Sequence, residues 1–310
     1  MGYAMVMGEA LIDLLEADAG GEQIYRQAIG GAPLNVAVAV ARLGGEVEYA
    51  GSLSADVLGE RMAGFLRDAG VGGRGITRVK VPTTLAVTTF EGAEPTFTFY
   101  GEPPSYALLG PGDVDLGVVA GAGVLYAGSI CLLREPFRSA ARAAWRVEGP
   151  LKVFDPNVRP TLLPDQAAVE ELRALVEEFA GGADLVKLSI ADAGVLYGEE
   201  DPAAAAARIG AKAVVVTCGA RGAYVALNRD EGVMIEAPSV AAVDATGAGD
   251  SVMGALITRL LKSGNLATLD DLSSHVRFAL KVAGLVCERP GGATAMPTAA
   301  ELTARWGDSI

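Results

Sequence analysis

The chain has 310 residues, 51% of them hydrophobic and 20% charged, which supplies a sizeable core and is the opposite of a disordered composition. Its 25 Lys and Arg against 38 Asp and Glu leave a formal charge of −13, a surface that nucleic acid or an anionic membrane repels. Three dispersed cysteines without a CxxC pair and a single histidine, His275, argue against a disulfide framework, most zinc sites and a Ser-His-Asp hydrolase.

Short apolar or β-branched runs predict strands at 3–8, 47–51, 123–126, 151–154, 184–188, 213–217 and 223–227. Helices are expected between them at 33–43, 57–69, 136–147, 167–180 and 202–209, with Pro33 in a first helical turn where its missing N–H costs nothing. Near-continuous apolar strands separated by helices indicate a mostly parallel sheet covered on both faces. Two long helices, 247–261 and 269–288, close the chain. The segments 85–91 and 96–100 alternate, are rich in Thr and Phe, and are joined by Gly92-Ala93-Glu94-Pro95, a hairpin signature. With the polar stretch 18–28 they predict a small β appendage on a single α/β domain, 1–310. The stretch 116–133 carries no charge, but its four glycines read as a helix end, a turn and a buried strand rather than a membrane span. No Lys or Arg precedes Arg26, so the start lacks the basic region of a signal peptide, and a cytoplasmic protein is expected.

Four clusters carry chemistry. Gly30-Gly31-Ala32-Pro33-Leu34-Asn35 opens a helix; paired glycines let a backbone approach a ligand, and Asn35 offers both donor and acceptor to hydroxyls. A tight turn whose Asn satisfies the loop explains the same letters. Asp244-Ala245-Thr246-Gly247-Ala248-Gly249-Asp250 opens the first of the long terminal helices. Small residues there leave amide donors open to an anion, and Asp250 is placed to accept a proton from an attacking hydroxyl. The alternative is an Asp that only complements the helix dipole. Thr217-Cys218-Gly219-Ala220-Arg221-Gly222 and Asp155-Pro156-Asn157-Val158-Arg159-Pro160 each follow a strand, where open α/β sheets bind ligands. A glycine turn accounts equally for the first and a solvated loop for the second. A GxxxxGK[ST] phosphate loop is absent, and Gly8-Glu9-Ala10 stands where a GxGxxG would follow the first strand.

Taken in order, these clusters resemble the PfkB (ribokinase-like) family of carbohydrate kinases, and within it the bacterial fructokinases. The resemblance runs from Gly8 to Pro297. It rests on Gly30, Gly31 and Asn35 followed by Ala41-Arg42-Leu43-Gly44, and on Val243-Asp244-Ala245-Thr246-Gly247-Ala248-Gly249-Asp250. Gly8-Glu9-Ala10-Leu11-Ile12-Asp13, Gly128-Ser129-Ile130 and Lys187-Leu188-Ser189 support it. It implies a three-layer α/β/α fold with a β-sheet lid built from about 11–30 and 74–104. It further implies transfer of the γ-phosphoryl of MgATP to a sugar's primary hydroxyl, fructose being the leading acceptor. On this resemblance Asp250 is the base and Gly247, Ala248 and Gly249 form the anion hole. Asp13, Gly30, Gly31, Asn35 and Arg159 hold the sugar; Thr217, Gly219, Arg221, Gly222 and Ser189 line the ATP site. Asp192 reaches Mg²⁺ through water, and Asp244 and Thr246, with 289–295, hold a monovalent cation such as K⁺. The lid forms a homodimer contact.

Departures from the family pattern fall at Ser189-Ile190-Ala191-Asp192, where Asn-x-x-Glu is usual, and at Ser54-Ala55-Asp56, where Gly-Asp-Asp is usual. Gly101 replaces an arginine after the lid strand, which argues against a sugar acid such as 2-keto-3-deoxygluconate, and Ala295 leaves only carbonyls for the cation. Competing readings are a kinase for another sugar, sugar acid or nucleoside, a binding protein that has lost catalysis, and a nicotinamide-dependent oxidoreductase.

Overall fold

The computed structural model describes residues 2–91, 94–230, 232–264 and 266–307. Its strands are β1 (Ala4–Met7), β2 (Leu11–Asp18), β3 (Gln23–Gly30), β4 (Val47–Ser54), β5 (Gly72–Val79), β6 (Leu85–Glu91) and β7 (Glu94–Tyr100), then β8 (Val124–Gly128), β9 (Leu151–Asp155), β10 (Leu185–Ser189), β11 (Ala213–Thr217), β12 (Ala223–Leu227) and β13 (Val233–Ile235). The helices are α1 (Ala32–Arg42), α2 (Val57–Asp68), α3 (Leu116–Ala120), α4 (Phe137–Trp145) and α5 (Gln166–Gly181), then α6 (Ile190–Tyr197), α7 (Pro202–Arg208), α8 (Ala248–Ser263), α9 (Leu269–Cys287) and α10 (Ala299–Trp306).

Nine strands form one sheet in the order β13-β12-β11-β10-β9-β8-β1-β4-β5. Pairing is parallel from β11 through β5 and antiparallel only where β12 and β13 are added at one edge. The interior strand β1 shows why the apolar runs are continuous. Ala4 and Val6 face a core shared with α1, α8 and α9, while Met5 and Met7 face a second core shared with α4 and α5. Helices on both faces make the expected three layers. The charge-free stretch 116–133 resolves into α3, a turn, the buried strand β8 and a 3-10 turn. Among the described residues no helix is long and apolar enough to cross a membrane.

The appendage is a separate four-stranded sheet, β3-β2-β6-β7, in which β2 pairs antiparallel with β3 and parallel with β6. The hairpin of β6 and β7 is present, and its turn residues Gly92 and Ala93 lie outside the described residues. The lid is smaller than the sequence suggests. Residues 74–79, expected in it, belong to β5, because a parallel partner, β4, lies beside them in the main sheet.

Side chains at its base tie the lid to the body. Asp56 caps α2 through the amides of Leu58 and Gly59 at 3.1 and 2.8 Å and also accepts the amide and hydroxyl of Thr83 at 2.7 and 2.6 Å. Burial alone would raise its carboxyl, but these donors prevail and hold it at about 2. Next to it, Thr84 and Ser105 exchange backbone-to-side-chain bonds at 3.0 and 2.8 Å. Asp56→Ala is expected to destabilise the protein by ~1–2 kcal/mol, the usual worth of an N-cap. Because the folded value lies below that of an unfolded Asp, the contribution is full above about pH 4. It fades as pH falls toward 2, so the melting-temperature gap between variant and wild type should close over that range.

Candidate functional site

The carboxyl ends of adjacent parallel strands converge on one cleft. Gly128 ends β8 opposite Asp155 at the end of β9, and Ser189 ends β10 opposite Thr217 at the end of β11. Two helices start over the same rim. The first, α1, begins after Gly31, whose φ of 112° and position suit only glycine, since a Cβ there would lie 2.4 Å from the Glu9 carbonyl oxygen. The second, α8, begins after Gly247 at φ 78°, where a Cβ would stand 3.0 Å from Gly292 Cα.

The two helices lie side by side because their contact residues are small. A Cβ on Gly254 of α8 would fall 2.5 Å from the Cβ of Ala39 in α1. Asn35 is four residues before Ala39 and Asp250 four before Gly254, one turn nearer the site on each helix. The close packing therefore delivers Asn35 Nδ2 to Asp250 Oδ2 at 2.8 Å, with both side chains buried. The other carboxylate oxygen, Oδ1, accepts Asn157 Nδ2 at 3.2 Å. Among the described residues no side chain caps the start of α8; the Ala248 amide turns back to the Ala245 carbonyl at 3.1 Å, and the helix start lies beside this carboxylate.

Beside the start of α8 lies a buried ion pair. Lys187 Nζ is 2.6 Å from Asp155 Oδ2 and 3.4 Å from the carbonyl of Gly249, with the two side chains 5% and 0% exposed. Burial opposes the ammonium, but Asp155, Asp192 and Asp250 surround it, outweigh burial and keep the amine raised.

A second group faces the cleft from the lid. Asp13 on β2 packs so tightly on Gly30 that a Cβ there would meet its Oδ2 at 2.0 Å. Burial pushes the Asp13 carboxyl up to about 6, with the charge of Arg159 pulling the other way. Burial also raises the neighbouring Glu9, 2% exposed, against the pull of donors that include the Cys131 amide at 3.4 Å. Arg159 is exposed, and its guanidinium donates to Asn157 Oδ1 and, at 3.2 Å, to the Val158 carbonyl. Its bonds thus go to the loop that touches Asp250.

Sites for other groups can be judged by what their atoms already do. Asp192 Oδ1 accepts the Val158 amide at 2.9 Å, and Oδ2 accepts the Ser189 amide and hydroxyl, both at 2.7 Å. With three donors in place it fits a metal ion through water rather than directly. Asp244 Oδ1 accepts the amide and hydroxyl of Thr246 at 2.9 and 2.7 Å, and Oδ2 accepts the Gly291 amide at 2.9 Å. Arg42 donates to the carbonyls of Thr294 and Met296 at 3.1 and 2.6 Å. A monovalent cation there would therefore rest on the remaining backbone carbonyls. The residues 217–222 form the turn of the β11–β12 hairpin, where Gly222 at φ 102° is needed by the fold itself: its Cβ would lie 1.9 Å from the Ile235 carbonyl. Thr217 is half-buried at the cleft edge, while Gly219 and Arg221 are exposed.

Asn35, Asp250 and the 247–249 backbone, recognised from sequence, meet in one place. Asp13 packs on Gly30 just before α1, Arg159 is linked to Asp250 through Asn157, and Ser189 and Asp192 stand at the end of β10 and the start of α6. Sequence reading places Asp155 and Asn157 in a candidate ligand-binding cluster after β9 and Lys187 in a segment that supports the resemblance, but gives none of the three a role of its own.

A buried carboxylate held by two side-chain amides at the start of a helix, at the strand ends of an α/β sheet with a β lid, is an arrangement suited to group transfer onto a small polar acceptor. The pfkB family carbohydrate kinase model matches residues 1–299. A probable fructokinase-2 of Arabidopsis thaliana is 34% identical over 97% of this chain and 94% of its own length. The structure of a fructokinase from Xylella fastidiosa with bound ATP superposes with a TM-score of 0.86 at 28% identity, covering 97% of each chain. One from Vibrio cholerae O395 with fructose, ADP and calcium bound gives 0.85 at 31% identity over 98% of each. The chain belongs to the pfkB family of carbohydrate kinases, and its fold is ribokinase-like. It is an ATP-dependent carbohydrate kinase.

Enlarging Gly254 tests the packing that assembles this site. Gly254→Leu should cost ~1–3 kcal/mol through overpacking and lower turnover together with melting temperature, by separating α8 from α1.

Proposed function

We propose that this kinase phosphorylates a primary hydroxyl of a neutral sugar, with fructose the first acceptor to test. The observation that carries the reading is the buried Asp250 carboxylate, held by two side-chain amides at the start of α8, where the described residues supply no side-chain cap. In the reaction Asp250 accepts the hydroxyl proton as the sugar oxygen attacks the γ-phosphorus of ATP, and the bond to the ADP oxygen breaks. The amides at Gly247, Ala248 and Gly249 stabilise the charge on the transferring phosphoryl oxygens. Mg²⁺ bound with ATP would neutralise phosphate charge, with Asp192 reaching it through water.

Sugar binding falls to Asp13, Gly30, Gly31 and Asn35. In support, Asn35 Oδ1 is buried with no hydrogen-bond partner among the described residues, so it offers an acceptor to a sugar hydroxyl. Arg159 contributes charge near Asp13. Gly101 follows β7 without a cation for a carboxylate, which favours a neutral sugar over a sugar acid. Thr217, Gly219, Arg221 and Gly222 form the nucleotide edge with Ser189. Asp244 and Thr246 sit at the K⁺ position. Tyr25 and Tyr100, 50% and 56% exposed on lid strands, support a homodimer through the lid, and the acidic surface supports a cytoplasmic life without nucleic acid or membrane partners.

Two experiments test this reading. ADP release from MgATP with K⁺ should be seen with fructose among ribose, tagatose, 2-keto-3-deoxygluconate and adenosine. It should fall at least ~10²–10⁴-fold in Asp250→Ala, the range of general-base help, while ATP binding by calorimetry is retained. The second concerns pH. Asp13 titrates at about 6, and its ionised form, the better hydroxyl acceptor, is lost below that value. KM for the sugar should rise as pH falls through 6 and lose this dependence in Asp13→Asn.

A further inference from the structure

The loop 155–159 is described by sequence only as a possible contact for the sugar, yet its geometry is directed at Asp250. Asn157 sits at φ 40°, in the left-handed region that only glycine, Asn and Asp occupy readily. Three bonds explain why the chain holds it there. Its own amide donates to Asp155 Oδ1 at 3.1 Å, the next amide, of Val158, donates to Asp192 at 2.9 Å, and Asp155 is in turn fixed by Lys187 at 2.6 Å. The side chain is oriented as well. Arg159 donates to Asn157 Oδ1, and a guanidinium can only donate, so the oxygen must face Arg159 and the NH₂ must face Asp250 Oδ1, 3.2 Å away. Asn35 takes the other oxygen at 2.8 Å. The carboxylate is thus held at both oxygens by two amides, one on α1 and one on this loop.

We propose that Asn157 is a positioning residue for the catalytic base: with Arg159 setting its amide, it fixes the rotation of the Asp250 carboxylate so that a free lone pair meets the acceptor hydroxyl. The proposal rests on the base assignment made above. It gives Arg159 a role in aligning the base rather than in holding sugar alone. It also accounts for the buried Asp155–Lys187 pair, which anchors the loop under the Gly249 carbonyl.

The test uses Asn157→Asp and Asn157→Gly in the full-length protein. Both residues accept the left-handed backbone, so the loop is kept; the first swaps the donor for an acceptor and the second removes it. Misplacement of a reacting group by about 1 Å costs on the order of 10²-fold. A fall of that order in kcat in either folded variant, with KM for ATP and sugar within about threefold, is the expected result. Turnover within twofold of wild type overturns the proposal, and so does a rise in sugar KM at unchanged kcat, which marks a substrate contact instead. Wild type and Asp250→Asn run alongside separate the two claims: turnover abolished by Asp250→Asn upholds the base whatever position 157 does. If wild type turns over no sugar, the function reading fails, and a crystal structure of Asn157→Asp decides the clamp alone. A rotated Asp250 carboxylate supports it, and an unmoved one overturns it.

Discussion

The close contact of α1 and α8 is the constraint on which the site depends. Both helices start at the cleft, and both carry a small residue about two turns in, Ala39 and Gly254, where no room exists for a second Cβ. Packing at that distance brings together two residues 215 positions apart, Asn35 and Asp250. A larger residue at either position would keep the amphipathic pattern of its helix and still separate the amide from the carboxylate. Glycine in a helix interior costs about 1 kcal/mol relative to alanine, so Gly254 is a local weakness retained for a tertiary distance.

The same cleft concentrates buried charge. Asp155, Lys187, Asp192 and Asp250 lie within a few strands of one another, each with little or no exposure. Isolated charges there would be prohibitive, and removing one partner of a buried pair typically costs ~3–5 kcal/mol. The structure meets the cost by giving the acids specific donors: the ammonium and the Asn157 amide for Asp155, three donors for Asp192, and two side-chain amides for Asp250. Such a network resists rearrangement, which suits a site that must present one carboxylate orientation to a hydroxyl.

The lid is fastened differently. Its sheet shares no strand with the main sheet; its base is held by short polar bonds around Asp56, Thr83, Thr84 and Ser105, and by Leu11, Ile12 and Ala86, which reach into the two cores of the body. Asp13, on β2 of this sheet, packs against Gly30 at the end of β3, just before α1 begins.

Much was legible in the sequence because it is local. The alternation of apolar runs and helices set the three-layer fold, since strands buried on both faces must be apolar throughout. The glycines before α1 and α8 marked the helix starts, since backbone near positive φ tolerates little else. Lid strands β2 and β3 were only partly visible, because one is apolar and short of alternation while the other is polar and exposed. Strand β5 was missed and its residues 74–79 assigned to the lid, because Arg74 and Arg78 break the apolar pattern of an edge strand. What sequence alone determined was which elements form and which residue types stand at their ends. Only the tertiary structure decided that Asn157 and Asn35 converge on Asp250, and that Lys187 lies beneath Gly249. Those pairings depend on helix packing distance and on a left-handed turn, neither of which leaves a period or a spacing in the chain.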